Sequence, residues 1–130
     1  MSSRRKARRR ALEILFRSDL AGVAPSVTPA EEQDADEFTR ELVEGVEEHL
    51  SELDQAIGSH AEGWTVARMA AVDRTVLRLA VYELKYRPDV PEAVAINEAV
   101  EAAKELSTDE SGRFVNGILG QIARDAAGEA

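Results

Sequence analysis

The chain has 130 residues, with 16 Lys and Arg against 25 Asp and Glu, a formal net charge of −9 and no cysteine. That length, with 44% hydrophobic residues, suits one folded domain with its own core. The missing cysteines exclude disulfide scaffolds, thiolate catalysis and Cys-based zinc sites. No apolar run approaches the roughly 20 residues of a membrane span. The basic start lacks the long apolar segment of a secretory signal, so the chain reads as cytoplasmic.

The charge is unevenly spread. Arg4, Arg5, Lys6, Arg8, Arg9 and Arg10 give the first ten residues +6, so the remaining 120 carry −15. A basic terminus on an acidic body reads as a local contact for a polyanion, and the acidic body limits its spread. An apolar helical pattern follows at once (Ala11, Leu12, Leu15, Phe16, Leu20), which predicts a first helix from about Arg4 to Ala21, stopping at Gly22. The cations sit badly at its start. Arg4/Arg8, Arg5/Arg9 and Lys6/Arg10 are like-charge i,i+4 pairs. The positive end of the helix dipole disfavours each charge by roughly 0.3–1 kcal/mol.

Residues 22–35, with two prolines, read as a loop. From Asp36, the residues Phe38, Leu42, Val46, Leu50, Leu53 and Ile57 recur at three- and four-residue spacing and predict one second helix, ended near Gly58 and Ser59. Gly63 and Trp64 mark a connection. Thr65 is placed to cap a short helix over 66–71, and Asp73 to cap a strongly apolar helix from Arg74 to Tyr86. That helix is the candidate for the centre of the fold. Pro88 and Pro91 break the chain before a helix from about Glu92 to Leu106, with Val94, Ile96, Val100, Ala103 and Leu106 available for burial. After a connection over 107–112, a last helix reaches about Ala126 with Phe114, Val115, Ile118, Leu119 and Ile122 inward. No segment alternates with period two. The reading is all-α, a compact helical bundle.

Catalytic signatures are absent. The two histidines, His49 and His60, have no metal-ligand spacing, and His49 reads as a solvated residue. There is no G-x-S-x-G, P-loop or G-x-G-x-x-G pattern. The eleven acids between Glu31 and Asp54 lack calcium-loop spacing and read as one solvated helix face plus an acidic loop, the alternative being a surface that keeps RNA off by repulsion. Gly45 and Gly117 lie inside helices at about 1 kcal/mol each, which points to close helix packing, with a ligand's approach to the backbone as the alternative at Gly117, beside Asn116.

Four segments together resemble the NusB family: RRKARRRALEILFRSDLAG, FTRELVEGV, VDRTVLRLAVYELKYRPDVPEAVAINEAVEAAKELS and SGRFVNGIL, in order and across nearly the whole chain. The resemblance implies two packed helical subdomains sharing one core, a single domain over 1–130 with a basic arm at 1–10, and no enzyme activity or cofactor. It implies transcription antitermination, with binding to boxA-type single-stranded RNA of ribosomal RNA leaders. The implied partners are NusE (a small-subunit ribosomal protein), other Nus factors and RNA polymerase. Carried over by position, Arg4, Arg5, Lys6, Arg8 and Arg9 are implied to contact RNA, with Asn116 and Gly120 nearby. Some relatives have Asp at the position of Gly120, so its loss here implies less repulsion of phosphate. Phe16 and Glu83 are implied to face NusE. The competing readings are a non-catalytic helical adaptor and an RNA-binding module serving a ribosomal RNA methyltransferase. Monomer and homodimer both fit the sequence.

Overall fold

The computed structural model describes residues 3–24, 36–126 and 128, so most of the predicted 22–35 loop lies outside the described residues. The elements are α1 (Ser3–Ala21), α2 (Glu37–Glu48), α3 (Leu50–His60), a 3₁₀ turn (Val66–Arg68), α4 (Ala71–Tyr86), α5 (Glu92–Leu106) and α6 (Asp109–Ala126). The described residues contain no strand.

Helix α4 is the hub, as its apolar surface predicts. It packs against every other α-helix. Helices α1 and α2 pair with each other beside it, α5 and α6 pair on another side, and α3 bridges α4 to α6. Leu42, Leu53, Ile57, Leu77 and Leu119 are fully buried in one apolar cluster that runs through all six helices. Each such side chain stabilises the fold by about 1.5–3 kcal/mol.

The predicted long second helix is two helices. The side chain of Asp36 caps α2 by accepting from the Phe38 N–H at 2.8 Å. The helix ends at His49, whose backbone (φ −107°, ψ 16°) leaves the helical region before α3 begins. At this break the His49 ring stacks on Tyr86, with centroids 4.1 Å apart, so His49 is half-buried rather than solvated. Leu42 and Val46 before the break and Leu53 and Ile57 after it enter the same core, which is why the apolar spacing runs on unchanged.

Two predicted caps also differ. Thr65 flanks the 3₁₀ turn but its side chain makes no capping bond. Asp73 lies inside the first turn of α4, which starts at Ala71, and is buried there. A carboxylate in that turn is favoured by the helix dipole. The inner face of α5 is Ala95, Ala99, Ala102 and Ala103, while Val94 and Leu106 are 40% and 53% exposed. Alanine carries little volume, so α5 can lie close to both α4 and α6. Helix α6 begins at Asp109, within the predicted connection, where the Thr108 hydroxyl accepts from the Ser111 N–H at 3.1 Å. Its inward residues are as predicted, with Phe114 partly buried.

The two interior glycines part company. A Cβ on Gly45 would enter the ring of Tyr82, so close packing demands glycine there. A Cβ on Gly117 would meet nothing within 4 Å, and packing does not explain it. Among the described residues no helix is long and apolar enough to cross a membrane.

Candidate functional site

The basic run forms the first two turns of α1, and the helix distributes its charges over different surroundings. No acid stands in that first turn to offset the dipole. The compensation comes from elsewhere in the chain. Arg4 pairs with Asp89 at 2.9 Å, Arg5 with Glu98 at 3.0 Å, Arg8 with Glu83 at 2.8 Å and Arg9 with Glu105 at 2.8 Å. Asp89 lies in the proline-flanked turn after α4, Glu83 on α4, and Glu98 and Glu105 on α5.

The Arg8–Glu83 pair is interior. Arg8 Nε and Nη2 donate to the two carboxylate oxygens of Glu83 at 2.8 and 2.9 Å, with side chains only 7% and 2% exposed. This corrects two expectations. The Arg8 guanidinium is engaged inside the fold, away from any solvent-borne phosphate. Glu83 offers no surface to a partner, because α1 covers it.

The other three pairs are open to solvent to different degrees. Arg4 and Asp89 are 45% and 48% exposed, Arg5 and Glu98 41% and 15%, Arg9 and Glu105 22% and 66%. Arg4 also lies over the Phe38 ring at 4.5 Å, and Arg8 and Arg87 approach the same ring at 5.5 and 4.9 Å. Asp89 accepts from both Arg87 and Arg4, and these bonds, that of Arg87 first, hold its carboxyl down at about 2. The hydrogen bond and charge of Glu98, then the charges of Glu101 and Glu105, hold the Arg5 guanidinium above its ordinary value. Lys6 is exposed and makes no ion pair among the described residues.

Phe16 lies on the same helix, half-buried, in an open groove of about 480 Å³. Leu12, Val72 and Leu106 line the groove's floor, and Arg9 and Glu105 line it as well, so it adjoins the arm. Asn116 and Gly120 stand apart on α6. Asn116 is exposed, Gly120 lies beside the Arg124 side chain, and no hydrogen bond or ion pair joins either to α1 among the described residues. The structure thus gathers Arg4, Arg5, Lys6, Arg9 and Phe16 on α1 and leaves the α6 pair separate.

Other charged clusters hold the fold. Asp19 accepts from Arg74 at 2.9 Å and Arg78 at 3.0 Å, and Arg78 also binds Asp54 at 2.7 Å. Burial pushes the Asp19 carboxyl up, but the two guanidiniums outweigh it and hold it below its ordinary value. His60 bonds to the Ala56 carbonyl at 2.8 Å and to Asp125 at 2.5 Å, and these two contacts raise its pKa. No group of three or more metal-ligating side chains is assembled among the described residues.

The residues that sequence reasoning missed are the acids facing the arm. A signal was present: Glu98, Glu101 and Glu105 recur at three- and four-residue spacing, one stripe of α5.

Comparison with known proteins agrees with this frame. The family model described as the NusB family matches residues 5–124. The transcription antitermination protein NusB of Symbiobacterium thermophilum is 48% identical, over 98% of this chain and 94% of that protein. The solved NusB of T. maritima superposes with a TM-score of 0.85 at 36% identity, over 95% of this chain and 92% of that one. A crystal structure of the antitermination factors NusB and NusE in complex with double-stranded RNA matches with a TM-score of 0.76 at 28% identity, over 94% of this chain and 96% of that one. With the arm, the helix order and the central α4 all accounted for, the chain belongs to the NusB family.

Proposed function

We propose that this chain is a transcription antitermination factor that holds RNA on the solvent side of α1 and a NusE-type partner in the adjoining Phe16 groove. The observation that carries this reading is the arm itself: Arg4, Arg5 and Lys6 keep substantial exposure on a rigid helix, on a body that is otherwise strongly acidic. Arg9, less exposed, extends the same edge toward the groove. A polyanion is attracted to that edge and repelled elsewhere. Guanidiniums suit both phosphate and the faces of unpaired bases.

Asn116 and Gly120 supply a second contact along the same RNA. Asn116 offers a donor and an acceptor, and Gly120 presents no side chain of its own. The role is binding rather than catalysis: a helical unit with a basic arm at 1–10 brings boxA-type RNA and NusE to the other Nus factors on RNA polymerase. The relatives carry the same name, and the neighbouring solved complex contains NusE and RNA.

The test is a fluorescence-anisotropy titration of boxA-type and scrambled RNA, single- and double-stranded, with and without NusE, at two salt concentrations. The chain is expected to prefer the boxA-type RNA. The combined Arg4→Ala, Arg5→Ala and Arg9→Ala variant is expected to lose binding, with a salt slope shallower by about 0.7 per phosphate contact removed on single strands. Unchanged, sequence-selective binding by that variant overturns the reading.

A further inference from the structure

We propose that Asp89, Glu98 and Glu105 are internal competitors for RNA phosphate, and that they set the minimum binding strength an RNA must offer to occupy the arm. The inference rests on the RNA-binding reading above and deepens it. Each of the three acids already occupies the place a phosphate would take. Glu98 receives Arg5 Nε at 3.1 Å and Nη2 at 3.0 Å, the two-pronged grip that guanidinium also gives a phosphate. Glu105 receives Arg9 at 2.8 Å and Asp89 receives Arg4 at 2.9 Å. RNA cannot engage these guanidiniums fully without displacing a carboxylate.

Exchange is feasible only because these pairs are weak. Each of them keeps at least one partner open to solvent, and such pairs hold by little. The interior Arg8–Glu83 pair does not qualify, since incoming RNA would have to open the fold to reach it. Among the described residues, the arm therefore has three exchangeable pairs and one fixed pair.

Displacing the acids imposes a similar penalty on every RNA. It leaves the ratio of affinities unchanged but lowers all of them together. Weak, sequence-indifferent binders fall below the concentration at which they would be held, while an RNA with additional contacts stays bound. The salt response carries a distinct mark. Salt loosens the internal pairs as well as the RNA contacts, so the parent chain responds less steeply to salt than a chain without the competing acids.

The experiment compares the parent with Glu98→Gln, Glu105→Gln, Asp89→Asn and their combination, using boxA-type and scrambled RNA oligonucleotides over a range of salt. Glu101→Gln is the control. Glu101 lies on the same stripe and its charge reaches Arg5, but its ion pair is with Lys104, at 3.9 Å, and among the described residues it accepts no hydrogen bond from the arm, so it reports the effect of charge without direct competition. Each amide variant is expected to bind both RNAs about two- to fivefold more tightly than the parent, with a steeper salt slope, and the combination by roughly the product. Circular dichroism checks that each variant is folded. Equal or weaker binding by the amide variants overturns the inference, because the acids would then orient the arginines instead of competing. An equal gain from Glu101→Gln also overturns it, since the effect would be one of overall charge. If the parent binds neither RNA at low salt, with or without NusE, the functional reading falls and takes this inference with it. If the parent binds and the variants gain nothing, only the inference falls.

Discussion

Arg5 and Arg8 stand three residues apart on one helix, and each holds a glutamate through a two-pronged bond. Their surroundings differ. Arg8 and Glu83 are almost wholly shielded from water, whereas Arg5 is 41% exposed. The same pair of side chains is a structural tie in one place and an exchangeable contact in the other. Solvent access, more than charge or spacing, decides which role a basic residue of the arm can take.

The sharpest way to break that comparison is to remove one partner of each pair. Arg8→Ala or Glu83→Lys leaves a buried charge uncompensated and should cost about 3–5 kcal/mol. In a chain of this size that lowers the thermal midpoint by roughly 10 °C or more. Replacing both, Arg8→Met with Glu83→Leu, should recover most of the loss, as a double-mutant cycle would show. A midpoint unchanged by Glu83→Lys would restore Glu83 to a partner-facing role.

The interior glycines extend the contrast between filled and open surroundings. Gly45→Ala drives a methyl group into Tyr82 and should destabilise by about 1–3 kcal/mol in chemical denaturation. Gly117→Ala meets open space and should stabilise by up to about 1 kcal/mol. A loss of RNA binding in that stabilised variant would show that the backbone at Gly117 is approached by the ligand.

Smaller still is the stability effect of Arg5→Ala or Arg4→Ala, which should leave the thermal midpoint almost unchanged even though both should weaken RNA binding. The smallest effects come from titration. His60 has its pKa raised by the Ala56 carbonyl and Asp125, so its clasp between α3 and α6 is complete below the ordinary histidine value near 6.5 and is lost as pH rises through the raised one. The midpoint difference between the parent and His60→Gln should therefore shrink on going from mildly acidic to alkaline buffer. Asp89 works in the opposite sense. Its contribution is present above the ordinary carboxylate range and lost as pH falls through about 2, which a carboxyl titration by NMR would follow.

Much of this architecture was legible in the residues. The helical periods placed α1, α4, α5 and α6 to within a few positions, because each buries one continuous stripe. The break at His49 was not legible, since the stripe passes through it and its stacking partner, Tyr86, is distant in sequence. The Ala face of α5 was misread because alanine carries little hydropathy signal, and the eye goes to Val94 and Leu106. For the site, the cluster of cations was plain, but the division of the arm was not. Whether Arg8 is covered depends on where α4 lies, and no local pattern states that.

The alanine face of α5 has a consequence for how this protein can change over generations. One side of that helix is locked, because anything larger than a methyl group would push α5 away from α4 and α6. Beside it, Glu101 and Glu105 stand open to solvent with little packing at stake, while Glu98 is mostly covered. Sequence drift can therefore rewrite the outer acids one at a time, retuning how readily the arm is released, while the scaffold beneath stays as it is.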